Sequence, residues 1–599
     1  MTDSYFSRRG IFANGQWSLF LVAGLILLML AMRAADVFEG TVPDNDDLLR
    51  LQQVRDLMAG QAWFNVDQAR MLTPEGGEMH WSRLPDIFLA SIIYVTQPLL
   101  GQAHAEMLAM SVWPLVLLTW TLAMLVTVLR RLGVGLAGQV VGLIFFALSG
   151  AIYNFWPGRI DHHNLTVALT LTGFAAAISA NLSLRSGVIA AACIAAMLSV
   201  AIETLPYAAA LILTFGLFWI VRGHNEAPRL AAFGFALIVF SSIFYLADAP
   251  GWGVRRMVCD AYGKSHWAGM LGGGALLGAI GVFGGNLDGW GKRLIAGGVA
   301  GGVTLSLVAW VNPACLGDPY ADVSDQVRLA WLSVVGEARN LGRLLADEPS
   351  RAVWQVGFVF SGLVATAIMV LKAPLGNRLP SLALALMMVL SALATVWQIR
   401  GVTFSHVFAV IATAWFVGAY IEYWLKTRGS LTVFGLFAGI IAFSPMMWAQ
   451  LAESFRKPSP YAVSDKPYKS LCLDPQSYAD MADMPTMKVL TPIDLGMSVL
   501  VRTPHSVFAG PYHRNVKGIE QVTGIFMGPP EAARADIAKL GATHVLYCEG
   551  LHETTRYGML RPDSFATQLN NTDIPDWLEP VDGKTETDGI IRLYRVKAE

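Results

Sequence analysis

Long apolar runs dominate the chain. A bilayer core of about 30 Å needs ~17–25 apolar helical residues. About thirteen runs meet that length: 18–34, 104–129, 136–153, 163–182, 186–203, 205–222, 228–247, 268–285, 293–310, 351–372, 379–397, 404–425 and 430–449. The pattern predicts a polytopic α-helical membrane protein. The first run, WSLFLVAGLILLMLAM, follows SRRG without a small-residue cleavage site and reads as a retained helix. Two polar stretches, 36–103 and 311–350, are too long for simple connectors. In the first, DNDDLLRLQQVRDLMAGQAW sets Leu48, Leu51, Val54, Leu57 and Met58 at helical spacing, with Asp44, Asn45 or Asp46 as a cap. That predicts an amphipathic helix lying along the membrane surface. The second alternates polar and apolar patches, which suits a loop carrying one or two short helices and folding over a site. From about 455 onward, strand-like MKVLTP, SVFAG, THVLYC and IIRLYRV alternate with the helical PEAARADIAKLG. This predicts a compact mixed α/β domain over 455–599, with 1–454 as the membrane part.

Composition agrees, with 54% hydrophobic and 15% charged residues, against roughly 25% charged in soluble chains. The 43 Lys and Arg nearly cancel the 44 Asp and Glu, so no nucleic-acid partner is expected. Where the cations fall is more informative. Arg8 and Arg9 precede the first run, and the alternate loops LRRLG, SLRSG, VRGHNEAPR, GWGKR, LKAPLGNR and LKTRG are basic, which marks that side as cytoplasmic. Thirteen crossings then put 36–103, the GRIDHHN turn at 158–164, 248–267, 311–350, the WQIRG turn and everything after about 450 on the external face. Five cysteines are too few for a disulfide scaffold. Cys193, Cys259 and Cys315 lie in or beside the membrane part. Cys472 and Cys548 share the polar domain, either paired in an oxidising compartment or as two buried thiols.

The unusual polar chemistry gathers on the external side. PDNDD at 43–47 reads as a helix cap or an acidic site. In GRIDHHN, Asp161 and His163 are two apart in a turn, so an oxygen and an imidazole nitrogen can face one point. Carboxylates suit Mn²⁺ or Mg²⁺, and the imidazole leans toward transition metals; a helix cap remains the competing reading. Glu337 lies in WLSVVGEARN beside other acids, Asp318, Asp322, Asp325, Asp347 and Glu348. Arg400, in a short turn between two runs, either grips a phosphate bidentately or snorkels to headgroups. Glu203 near a membrane end is ionisable and unassigned.

NDDLLRLQQVRDLMAG (45–60) resembles the first external loop of the single-subunit oligosaccharyltransferases, GT-C membrane glycosyltransferases whose sugar donor rides on a polyprenyl lipid. The resemblance places Asp46 on their first catalytic, metal-binding aspartate. GRIDHHNLTVALTL is similar to their second-loop Asp-x-Asp motif, with Asp161 first and His163 in place of the second aspartate. SVVGEARN looks like the segment carrying their essential glutamate, here Glu337, and Arg400 is placed like the arginine on the donor pyrophosphate. Arg159 and His162 join it as candidate donor-phosphate contacts. In TPIDLGMSVLVRTPHSVFAGPYHRN, Asp494 and Gly496 match the family's acceptor-reading Trp-Trp-Asp-Tyr-Gly, whereas both tryptophans and the tyrosine are absent. Tyr512, His513 and Arg514 are candidate acceptor contacts or braces.

The resemblance implies a GT-C fold in a bacterial inner membrane, with the C-terminal domain periplasmic. It also implies a divalent cation (Mn²⁺ or Mg²⁺) held by Asp46, Asp161, His163 and Glu337, a polyprenyl-linked donor, and a protein, lipid or glycan acceptor. Asp46 or Glu337 would orient or deprotonate the acceptor. Two alternatives stand beside it: a single-sugar transferase modifying lipopolysaccharide or lipid A, in which Asp46 is a general base without metal, and a transporter or flippase of lipid-linked glycans.

Overall fold

The computed structural model describes residues 17–73, 76–248, 258–317, 323–456, 472–581 and 591–598. Arg8, Arg9, Asp318 and Asp322 lie outside them. Among the described residues, nine helices are long and apolar enough to cross a membrane. The pair Ser430–Phe443 and Pro445–Glu453 adds a tenth if its 66° bend is taken within one span. Three of the expected runs form shorter helices, Leu136–Leu148, His163–Ala177 and Leu184–Val200. For the first and third of them the cause is visible at the C-terminal end. After Leu148 the backbone turns extended at Ser149 and continues as a 3₁₀ segment, Gly150–Phe155. At Ala201 it is again extended, before the turn Ile202–Thr204. A helix of 15 residues, as His163–Ala177 is, reaches roughly 22 Å, so helix length alone does not establish thirteen crossings. The apolar helix Leu84–Leu100 lies inside the stretch read as one external loop.

Close helix contact depends on small residues. The Leu136–Leu148 and Val402–Thr427 helices cross at Gly138 and Gly418, where a Cβ on Gly418 would lie 2.4 Å from the Gly138 Cα.

The helix after the first span is Asn45–Met58, and it corrects the surface-helix expectation. Its residues from Asp47 to Val54 are all buried, because Leu84–Leu100 packs on one side and Ile493–Arg502 on the other. A surface helix would leave Arg50, Gln52 and Gln53 in water. Here Arg50 is fully buried, donating to Asp86 at 2.8 Å, while Arg83 reaches the other oxygen of Asp86 at 3.2 Å. The expected cap is also absent. Asp44 stands at the N-cap position without capping the helix, its side chain drawn to Arg159.

All four strand-like runs of the C-terminal region form strands. Lys488–Leu490 (β1), Ser506–Val507 (β2), His544–Cys548 (β3), Leu578–Pro580 (β4) and Ile591–Val596 (β5) make one sheet in the order β2-β1-β3-β5-β4. β1 runs parallel to β2 and β3, whereas β5 is antiparallel to β3 and β4. Pro530–Leu540 is helical as expected. The first external stretch extends this sheet: the Leu72 amide donates to the Val507 carbonyl (2.6 Å) and the Val507 amide to the Arg70 carbonyl (2.9 Å). Within 311–350, short helices Asp325–Ala330 and Leu341–Asp347 form, and Val327, Ala330 and Trp331 enter the core of the C-terminal unit. Cys472 pairs with Cys548, and Cys259 pairs with Cys315. The second bridge was not expected. It joins two segments, 248–267 and 311–350, that the charge pattern assigns to one face.

Asp47 locks the first stretch to the GRIDHHN turn. Its Oδ1 accepts the backbone amides of Ile160 (2.8 Å) and Asp161 (2.9 Å), and its Oδ2 accepts from Arg159 Nη1 (2.9 Å). Gly158 permits the turn: its φ is +91°, and a Cβ there would come within 2.8 Å of Pro43. Arg159 is 3% exposed, so removing the Asp47 carboxylate leaves a buried cation with only the longer contacts to Asp44 (3.2 Å) and Asp161 (3.8 Å) to answer it. Asp47→Ala is expected to cost about 3–5 kcal/mol, read as a fall in the thermal midpoint in detergent with faster amide exchange across 158–162. Asp47→Asn, which keeps one acceptor, should cost less. Unchanged melting and exchange in Asp47→Ala would show that the turn holds without the clasp.

Candidate functional site

The site lies where several helices begin at one end of the bundle. His163–Ala177 starts just after Asp161, Leu205–Arg222 just after Glu203, and Val402–Thr427 just after Arg400. Asp161 is 3% exposed and His163 is 8% exposed. His163 Nε2 is 3.3 Å from Asp161 Oδ2, and His163 Nδ1 is 3.0 Å from Glu203 Oε1. The Asp161 Oδ1 accepts the His162 backbone amide at 2.5 Å. The His162 ring also approaches Oδ1 at 2.5 Å, but not in line for a hydrogen bond, while Asp161 Oδ2 is buried without a hydrogen-bond partner. Asp161 therefore does not cap the helix that follows, for which no side-chain cap exists. Burial alone would raise the Asp161 pKa, but the two imidazoles and Arg159 hold it well below the usual carboxylate range.

Asp46 and Glu337 join the same electrostatic neighbourhood. Burial pushes the Asp46 carboxyl well above the usual carboxylate range, and the charges of Asp44, Asp161 and Glu337 push it further, against the pull of Arg159. Glu337 arrives from the long loop, and its placement is tied to Arg400 through the backbone. The Arg400 amide donates to the Glu337 carbonyl (3.2 Å), and the Ile399 amide to the Arg339 carbonyl (2.9 Å). The Arg400 side chain donates to Glu203 Oε2 at 2.8 Å. The turn at Arg400 thus carries a loop on its backbone and an ion pair on its side chain.

Other expected residues are employed differently. Arg159 is buried against Asp47 (2.9 Å) and Asp44 (3.2 Å), with its guanidinium over the Tyr153 ring, and so it braces the turn. Tyr512 is 4% exposed. Its hydroxyl donates to the Asn45 carbonyl at 3.1 Å, Asn45 donates to the Asp494 carbonyl at 3.2 Å, and the Tyr512 ring meets Trp81 edge-on. Arg514 grips Asp260 bidentately at 2.7 Å, and His513 Nε2 is 2.8 Å from the same carboxylate. Asp494 begins the Ile493–Arg502 helix, with its amide bonded to Glu553. In this geometry Tyr512, His513 and Arg514 brace the C-terminal unit against the loops. Two side chains had no motif to announce them. Glu203 touches both histidines and Arg400, and Trp81 forms a wall between His162 and Tyr512. The place of Glu203 at a membrane end marked it in the sequence without a role, whereas only proximity in the fold reveals Trp81.

A divalent cation fits this donor set. Asp161 Oδ2, which accepts no hydrogen bond, and His163 Nε2 are at the separation of two ligands on one ion, and the burial and mutual repulsion that raise Asp46 are what a cation relieves. Asp161, His162 and His163 form one cluster able to hold a metal, and His80, Asp260 and His513 form another.

No protein-family model matches the chain, and no curated protein matches its sequence. Solved structures do. The archaeal oligosaccharyltransferase AglB from Archaeoglobus fulgidus, in complex with an inhibitory peptide and a dolichol-phosphate, superposes with a TM-score of 0.65 at 14% identity, over 95% of this chain and 73% of that one. The oligosaccharyltransferase of the same organism tethered to an acceptor peptide containing the NVT sequon gives 0.60 at 13% identity, over 96% and 74%. Its complex with Zn and sulfate gives 0.58 at 14%, over 87% and 68%. The shared feature at this identity is the fold: a polytopic helical membrane protein of the GT-C, oligosaccharyltransferase-like architecture with a C-terminal α/β unit.

Proposed function

We propose that this protein is an inverting membrane glycosyltransferase that moves a sugar or oligosaccharide from a polyprenyl-(pyro)phosphate donor to a protein, lipid or glycan acceptor. The observation that carries the reading is the gathering of Asp46, Asp161, His163, Glu337 and Arg400, from four separate segments, at one end of the bundle in this fold. Breaking a glycosyl–phosphate bond leaves an anion on the lipid, so a site for it needs positive charge next to the membrane. Arg400 and His162 supply that charge from the ends of spans, where a lipid-borne phosphate lies. Asp46, Asp161, His163 and Glu337 would hold a divalent ion, which when bound supplies Lewis-acid stabilisation of the phosphate. Asp46 or Glu337 orients the acceptor nucleophile and takes its proton.

The AglB structures support the substrate class, since they hold dolichol-phosphate, an acceptor peptide, and Zn with sulfate. A bacterial inner membrane with the site on the periplasmic face accords with the two disulfides, which need an oxidising compartment. It also accords with the basic alternate loops and a cytoplasmic N-terminus. A transporter would not need acidic groups from a long loop and a C-terminal unit closed over one site.

Cells lacking the protein are expected to lose one glycan species from envelope proteins, lipids or polysaccharide by mass spectrometry. Cells carrying Asp46→Ala or Asp161→Asn should show the same loss at normal protein levels. The class of molecule that loses the sugar identifies the acceptor, and full restoration by both variants would refute the enzyme reading.

The raised Asp46 pKa gives a second outcome. A proton held to higher pH competes with a cation, so Mn²⁺ affinity should go on rising with pH above the ordinary carboxylate range. Isothermal titration in detergent measures it, and in Asp46→Asn the slope should flatten.

A further inference from the structure

Glu203 sits in the Ile202–Thr204 turn that opens the Leu205–Arg222 helix, and its side chain is 19% exposed. It faces three groups of the site. Oε1 is 3.0 Å from His163 Nδ1 and 3.4 Å from His162 Nε2, while Oε2 accepts from Arg400 Nη1 at 2.8 Å. A carboxylate that served only as counter-ion to Arg400 would not need its second oxygen on an imidazole.

The consequence for His163 is specific. With Nδ1 beside Glu203 Oε1, an Nδ1–H directed at that oxygen leaves Nε2, 3.3 Å from Asp161 Oδ2, as the ring atom free to bind a cation in exchange for its proton. The proton that joins the two atoms in the absence of metal is what a cation would displace. Histidines that bind metals commonly donate their other ring N–H to a carboxylate, which sets the tautomer and raises the basicity of the ligating nitrogen. Arg400, on the opposite oxygen, holds the Glu203 carboxylate in place for this contact.

We propose that Glu203 is a positioning residue: it fixes the tautomer and orientation of His163 so that Nε2, together with Asp161 Oδ2, takes a divalent cation. The inference rests on the reading of Asp161 and His163 as cation ligands, and the variants separate the two. Glu203→Gln keeps one carbonyl oxygen to accept the Nδ1–H; Glu203→Ala keeps none.

The test is Mn²⁺ affinity of the full-length protein in detergent. All variants carry His80→Ala, so that the cluster of His80, Asp260 and His513 does not contribute. Relative to that background, Glu203→Ala should weaken binding by roughly 10–100-fold. Glu203→Gln should stay within a few-fold, and Asp161→Asn should weaken binding at least as much as Glu203→Ala. Pulsed EPR of bound Mn²⁺ should show a histidine nitrogen coupling that persists in Glu203→Gln and vanishes in His163→Ala. Unchanged affinity in Glu203→Ala, with loss in Asp161→Asn, would overturn the positioning role and leave the cation site standing. Equal loss in Glu203→Gln and Glu203→Ala would overturn it too, because charge and not hydrogen-bond acceptance would then be what matters. Unchanged affinity in Asp161→Asn would overturn the cation reading itself. If Glu203→Ala does not fold, the comparison of Glu203→Gln with the background decides the proposal, a loss beyond a few-fold counting against it.

Discussion

The site depends on a buried charge cluster, the carboxylate of Asp47 closed on Arg159 and on the amides of Ile160 and Asp161. Those amides belong to the turn that presents Asp161 and the two histidines. Asp47 itself is next in the chain to Asp46. One side chain therefore sets the distance between the acidic start of the Asn45–Met58 helix and the metal-capable turn. A guanidinium buried to this degree is tolerable only with such partners, which gives the first external stretch and the second turn a single common register.

The same economy recurs at the other edge. The turn at Arg400 receives the long loop on its backbone amides and Glu203 on its side chain. The long loop in turn sends Val327 and Trp331 into the C-terminal core. The C-terminal unit closes the circle through Tyr512 on Asn45 and through the strand pairing of Leu72 with Val507. The acidic groups are held near one another from all sides, and burial together with their mutual repulsion raises the pKa of Asp46.

Concentrating carboxylates in a buried place has a cost that a bound cation offsets. The histidines moderate it. His162 and His163 stand between Asp161 and Glu203, so the turn alternates acceptor and imidazole instead of stacking three carboxylates. The departure from an Asp-x-Asp pattern at His163 thus has a partner in space, the carboxylate of Glu203 from the Ile202–Thr204 turn.

Apolar run lengths, loop charge and the shift in composition near residue 455 were enough to determine a polytopic helical membrane protein with a mixed α/β C-terminal unit, because burial in lipid and period-2 or period-3.6 patterning are local constraints. The resemblance of short stretches to the oligosaccharyltransferase loops singled out Asp46, Asp161, His163, Glu337 and Arg400, which spacing alone left open to a cap or a lipid-facing cation. What only the tertiary structure decided was how distant segments pair. It buried the Asn45–Met58 helix between two others, shortened two runs where the backbone turned extended, joined Cys259 to Cys315, and set Arg159, Tyr512, His513 and Arg514 against partners from distant segments. It also brought Glu203 to His163. Such pairings arise from contacts across tens to hundreds of residues, for which a periodic pattern along one chain contains no signal.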